Sequence, residues 1–348
     1  MPSSGGAGGG TAGYPYATGE TVSAARFTAV DPDFVIAVLD TGVTVDGLSK
    51  KPHPFIAGNL MAGWEQYPDP LEDYHPESAG YGGGWSTTAG PQDGHGTFVA
   101  GRILREAPFA TLAMRNPLDG PTPPPVLDNE HRIAAAIRGL TEVANLRLVN
   151  LGSYNVLPEP KPPLQIKEAL NELFGKHPHV VVVTSLANNW RDEVVWPAGF
   201  NTAEHFGDGI IAVGAVDETP TPYVGQWRPP PKASFASWGG VDVWASGVSV
   251  LGPHLQPGAK LVGGEATSGW VRWSGSPFAT AAVTGMIARR MKQSQIEEVP
   301  LTARQAFAAL VKDRPRVEVP GVPASHWKPW LRELGSRWRE FPGAFTDG

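Results

Sequence analysis

Apolar residues in this chain come in short runs that stop at small or polar residues: Val35–Leu39, Val180–Val183 and Ile210–Val216, and Leu146–Leu151, which Arg147 and Asn150 interrupt. Runs without alternation suit parallel strands that are covered on both faces. Between them the apolar positions switch to helical spacing. Ile133, Ala134, Ile137, Leu140, Val143 and Ala144 predict a helix over 129–144, Leu164–Phe174 reads as a second, and 97–104 and 303–312 as two more, the last opened by Thr302. Ala110–Arg115 is a further short strand, and 120–125 a proline-rich turn. Helix followed by strand, repeated, predicts an α/β fold, a three-layer sandwich with a mostly parallel central sheet.

Two of the boundaries carry chemistry. The first strand ends in Asp40-Thr41-Gly42, which puts a carboxylate at the carboxyl rim of the sheet, where open α/β folds hold their sites. Asp93-Gly94-His95-Gly96-Thr97 then runs as a loop of small residues around one imidazole into the helix at 97. A histidine there can serve as general base if a carboxylate fixes its tautomer and stabilises the imidazolium, and Asp40 is the candidate.

These motifs resemble those of the subtilisin family of serine peptidases, which run Asp-Thr/Ser-Gly and His-Gly-Thr-His-Val-Ala-Gly. Phe98 replaces the family's second, non-catalytic histidine. The junction Thr184-Ser185-Leu186-Ala187-Asn188-Asn189 resembles the family's strand ending in Ala-Ala-Gly-Asn and puts Asn188 on the oxyanion asparagine. Ile210–Asp217, Phe235–Gly239 and Val241–Val248 follow the family pattern as well, and the matches together span 35–290. Gly152-Ser153-Tyr154 stands where the family usually has Ser-Leu-Gly, so these three are the candidate substrate-binding residues, with Tyr154 narrowing the pocket.

The serine motif departs from the pattern. The family reads Gly-Thr-Ser-Met/Phe-Ala, and this chain reads Gly275-Ser276-Pro277-Phe278-Ala279, so the nucleophile position aligned without gaps is Pro277. Proline has neither a hydroxyl to attack a carbonyl nor an N–H to donate to an oxyanion. Ser276 has two readings. It is an N-cap followed by proline at the first helical position, or a displaced nucleophile after a one-residue slip of about 3.8 Å, against a required reach of about 3 Å to the base. The resemblance therefore implies either a serine endopeptidase using Asp40, His95, Ser276 and Asn188, or an inactive pseudoprotease that binds a peptide or partner protein in the retained cleft. Metal-dependent hydrolysis is the weaker third, because no second ligand stands at ligand spacing to His95.

Composition narrows the partners. The formal charge of −6, with no run of Lys or Arg, argues against nucleic acid or an anionic membrane as the main partner. The absence of cysteine excludes a disulfide framework, thiolate metal sites and a cysteine nucleophile. No basic start with an apolar segment is visible and no span, which predicts a cytoplasmic or already processed protein. The family reaction needs no cofactor. Calcium is common in the family, and Asp69, Glu72, Asp73, His75 and Glu77 in the 51–90 loop form an acidic cluster without the ordered spacing of a calcium loop, so a solvated loop is the simpler reading.

Three regions are expected: a flexible leader over 1–26, the peptidase-like domain over 27–314, and an extension over 315–348. In the extension, Trp327, Trp330, Leu331, Leu334, Trp338 and Phe341 read as an amphipathic helix. Its stripe either packs on the parent domain or docks a partner.

Overall fold

The computed structural model describes residues 15–17, 20, 29–45, 51–65, 94–117, 126–152, 161–189, 194–218, 230–255, 257–258, 266–319, 322–324 and 327–332. In chain order the elements are β1 (Tyr16–Ala17), β2 (Asp31–Leu39), α1 (Pro54–Ala57), α2 (His95–Glu106), β3 (Ala110–Arg115), α3 (Val126–Gly139), β4 (Leu146–Leu151), α4 (Leu164–Lys176), β5 (Val181–Ser185) and β6 (Ile210–Val216). Then come β7 (Val243–Ser246), β8 (Val250–Pro253), β9 (Trp270–Trp273), α5 (Ser276–Ile296), α6 (Ala303–Val311), β10 (Arg316–Val317) and β11 (Lys328–Leu331).

The main sheet has the order β10-β11-β7-β6-β5-β4-β2-β3, and every neighbouring pair from β11 to β3 is parallel. This is the three-layer α/β sandwich that the apolar runs predict. The pleat sends alternate residues to opposite faces. Ile36, Val38, Leu148, Val181 and Val183 pack with α2 and α5, whereas Val35, Ala37, Leu39, Val149 and Val182 pack with α3 and α4. A strand buried on both sides has no use for polar residues until it reaches the rim, which is why its sequence shows no alternation.

Helix α2 is approached closely at two glycines, by α5 at Gly285 and by β8 at Gly101. A Cβ on Gly285 would lie 2.6 Å from the carbonyl oxygen of Ile103 and 2.7 Å from Cβ of Glu106, and one on Gly101 would overlap the ring of Pro253. Buried Glu106 pairs with Arg289 across the same contact. This contact sets where the two helix N-termini, and with them His95 and Ser276, face each other.

Both ends of the described chain depart from expectation. The leader is not free of structure: β1 pairs antiparallel with β9, the Tyr16 hydroxyl lies 2.5 Å from Ser249 Oγ, and the Glu20 carboxylate takes Arg272 Nε and Nη2 at 2.8 and 3.0 Å. The extension does not begin with a helix. Lys328–Leu331 forms β11, a parallel strand on β7 with Trp330 opposite Trp244, so the folded domain runs past 314. Pro329 explains the difference, since proline inside a helix removes a hydrogen bond and clashes with the preceding turn. Leu334, Trp338 and Phe341 of the expected stripe lie outside the described residues. Among the described residues no helix is long and apolar enough to cross a membrane.

Two outcomes follow from this packing. Gly285→Ala gains about 1 kcal/mol of helix propensity, but it overpacks a backbone carbonyl that cannot yield, a cost of about 1–3 kcal/mol. Urea unfolding is expected to show net destabilisation, and a stabilised variant would contradict the close α2–α5 contact. His53 caps α1 by accepting the N–H of Phe55 at Nδ1 and packs on Trp270. Burial lowers its pKa to about 4, with a backbone hydrogen bond to Gly269 opposing. Between pH 6.5 and 4 the unfolded chain binds a proton there that the folded chain refuses. Stability is therefore full above pH 6.5, falls by up to about 3 kcal/mol as pH drops towards 4, and levels below. His53→Asn, which keeps the acceptor, should flatten that part of the pH–stability curve.

Candidate active site

The carboxyl ends of β2, β4 and β5 deliver their last inward side chains to one place. Asp40 continues the alternation of Ile36 and Val38 and so points to the α2–α5 face, where it meets the first residue of α2. His95 Nδ1 lies 2.7 Å from Asp40 Oδ1, which also accepts the N–H of Thr41 at 2.8 Å. The loops carrying the two residues are locked together. Thr41 Oγ1 accepts the N–H of Gly96 at 3.0 Å, and a Cβ on Gly96 would lie 2.1 Å from the carbonyl oxygen of Gly42. Only glycine fits at 96. Gly94, with φ 77°, turns the chain into α2, and His254 fills the space where a side chain at 94 would go.

The pair is enclosed. Asp40 and His95 are 0% and 1% exposed, and the imidazole packs edge-on against Trp273 at 5.3 Å and tilted against Phe278 at 5.2 Å. An aspartate hydrogen-bonded to Nδ1 directs the other ring nitrogen, Nε2, to the proton-transfer task.

Asn188 follows β5, after Ala187 in a left-handed conformation with φ 64°. Its Oδ1 accepts the N–H of Ser276 at 3.0 Å. Since a backbone N–H can only donate, this fixes the amide and leaves Nδ2, which has no hydrogen-bond partner among the described residues, as a donor. An unsatisfied buried N–H at this rim is what an oxyanion acceptor requires.

Ser276 is directed to the turn after β5. Its hydroxyl is 2.9 Å from Asn188 Oδ1 and 3.1 Å from the carbonyl oxygen of Ala187, and no hydrogen bond joins it to His95. The residue is 0% exposed. It is also not the N-cap: α5 begins at Ser276 itself, Gly275 stands at the cap position without a side-chain cap bond, and Pro277 is the second helical residue. The carbonyl of Ser276 is engaged too, by Thr280 Oγ1 at 2.9 Å. Thr284 Oγ1 bonds the carbonyl of Thr280 at 2.9 Å and accepts Asn150 Nδ2 at 2.9 Å, which ties the first turns of α5 to the end of β4. A one-residue slip of Ser276 breaks its amide, hydroxyl and carbonyl bonds together, each worth about 1 kcal/mol.

Of the candidate substrate-binding residues, Gly152 lies at the end of β4 with its carbonyl accepting Ser185 Oγ at 2.6 Å, and it faces the backbone of Pro277. Ser153 and Tyr154 lie outside the described residues, as do Asp93 and the acidic cluster at 69–77. Among the described residues no group of three or more His, Asp or Glu side chains is arranged to hold a metal. Sequence reasoning missed Trp273, His254, Asn150 and Thr284. Trp273, two residues before Gly275, had a signal in the Trp270-Val271-Arg272-Trp273 strand pattern, while the Asn150–Thr284 link joins residues far apart in sequence and had none.

Comparison with known proteins agrees with this architecture. The prenylagaramide maturation protease PagA is 19% identical, with 87% of this chain and 92% of that one covered and a TM-score of 0.56. The PatG macrocyclase, solved in complex with peptide, is 18% identical over 88% and 90% of the two chains, also with a TM-score of 0.56. Fervidolysin from Fervidobacterium pennivorans, described as a keratinolytic enzyme related to subtilisin, is 24% identical over 86% of this chain and 41% of that one, with a TM-score of 0.53. These likenesses concern the fold. No curated protein matches the sequence. The model of the Subtilase family, peptidase group S8, matches residues 31–323, and the chain, with an Asp–His pair at the rim of a parallel sheet, belongs to the subtilase family.

Proposed function

We propose that this subtilase binds an extended peptide or protein segment in its cleft and does not form an acyl-enzyme on serine. The observation that carries the reading is the state of Ser276, fully buried and hydrogen-bonded to Asn188 and Ala187, one place before Pro277. A nucleophile must be reachable by the substrate carbonyl and within about 3 Å of its base. Pro277 stands at the position that the family gives to that nucleophile and supplies neither group. What remains suits recognition: Asn188 Nδ2, at the turn after β5, is a donor with no partner among the described residues, of the kind a peptide carbonyl would take. The PatG macrocyclase, a structure of the same fold, was solved in complex with peptide, which supports the peptide-binding part of this reading.

A second reading, serine endopeptidase, is favoured by one observation, the 2.7 Å Asp40–His95 pair in working geometry. In that reaction the Ser276 hydroxyl attacks the peptide carbonyl while its proton passes to His95 Nε2. Asn188 holds the oxyanion, the amine leaves with the proton, and water then repeats the sequence to release the acid. Ser276 must first break from Asn188, which occupies the oxyanion donor's own amide with the nucleophile.

A fluorophosphonate probe separates the two readings. The native chain is expected to stay unlabelled while a peptide library retains binders. Pro277→Ser is expected to acquire labelling that His95→Ala removes, because it returns a hydroxyl to the family's position beside an intact pair. Labelling of the native chain at Ser276, lost in Ser276→Ala with the fold intact by circular dichroism, would make it an endopeptidase. A native chain that neither labels nor binds any peptide would sink both.

A further inference from the structure

One strand out from Asp40 the same rim opens into a cavity of about 350 Å³ between the end of β3 and the side of α3. The two are adjacent in the backbone, since Asp40 N–H bonds the carbonyl of Arg115 at 3.1 Å. The cavity holds two guanidinium groups, Arg115 and Arg132, and one carboxylate, Glu65. Arg115 is held in place by the structure around it: Nη1 donates to the carbonyls of Met114 and Gly63 at 3.0 and 3.3 Å, and Nε stands 3.7 Å from Glu65 Oε1. Glu65 is committed as well, since Oε2 accepts the N–H of Asn116 at 2.5 Å. Arg132 makes no hydrogen bond or ion pair among the described residues. On α3 it is followed at helical spacing by Ala135, Ala136 and Gly139, which line the same cavity and leave room beside the guanidinium. The cavity therefore has one spare positive charge, a planar donor fork, and space.

We propose that this cavity is a subsite for an acidic side chain of the peptide bound in the cleft, with Arg132 as the residue that sets the preference. A guanidinium fork matches a carboxylate in two parallel hydrogen bonds. The inference rests on the peptide-binding reading above. Strand order gives it a register: the residues after β5, β4, β2 and β3 follow one another along the rim, three strand spacings of about 4.8 Å each. That is roughly 14 Å from Asn188 to Arg115, or about four residues of extended peptide at about 3.3 Å each. Since Asp40 faces α2 and α5 whereas the cavity opens beside α3, the acidic residue belongs about four or more positions from the carbonyl held by Asn188.

The test uses the full chain and a set of acetylated decapeptides in which Asp, Glu, Asn and Gln are scanned through a neutral background, with affinity read by fluorescence anisotropy. An acid at one position is expected to tighten binding about tenfold over its amide, the scale of one charge-assisted pair. Arg132→Gln should erase that preference and leave the affinity for neutral peptides unchanged. Equal binding of acid and amide peptides, or a preference that survives Arg132→Gln, overturns the proposal. Acetate alone, titrated against the Nε–Hε resonance of Arg132, provides a measurement independent of peptide binding. A saturable shift that an equal concentration of chloride does not produce supports the carboxylate site even if no peptide binds, in which case the peptide-binding reading alone fails. No shift with acetate overturns the site, and a larger saturable shift with inorganic phosphate than with acetate overturns the assignment to an acidic side chain.

Discussion

A carboxylate and an imidazole meet at 2.7 Å in a place that water does not reach, and the rest of the molecule is arranged so that they can. Placing an aspartate out of water is costly unless its oxygens are hydrogen-bonded with good geometry. Asp40 Oδ1 meets that requirement through His95 and the N–H of Thr41, and Gly96 and Gly42 approach closely enough for the two loops to hold the pair without play. The close packing of α2 on α5 belongs to the same arrangement, since it fixes the helix start that carries His95 against the one that carries Ser276.

The second constraint lies in the first turn of α5. In a working serine site, the hydroxyl has to be both loosely held and exposed to substrate. Ser276 is tightly held and enclosed, with its amide, hydroxyl and carbonyl all bonded to neighbours, and the residue after it is a proline that fixes the turn further. The Asp40–His95 pair is thus built and supported, while the hydroxyl at the start of α5 is turned towards Asn188.

Much of this was legible in the chain. Strands buried on both faces announce themselves as runs of Val, Ile and Leu, and the residues that follow those runs, Asp40 and Asn188, are the ones that meet His95 and Ser276. His95 was legible because glycines crowd it on both sides. What could not be read depends on pairing between distant segments. Tyr16 and Ala17 are two residues whose strand exists only because β9 lies alongside, more than 250 positions later. The tail was misread because tryptophans at helical spacing outweighed Pro329, the one residue that argued against a helix there. The orientation of the Ser276 hydroxyl follows from Asn188 and Ala187, and no local pattern encodes it.

The strand β11 has a consequence for how the molecule is made. Until residues 328–331 have emerged from the ribosome, β7 is the outermost parallel strand, with a row of backbone donors and acceptors open to any extended chain nearby. The sheet is therefore completed by one of the last described segments to be synthesised, and the nascent protein passes through a stage in which its own tail competes with foreign strands for the same edge.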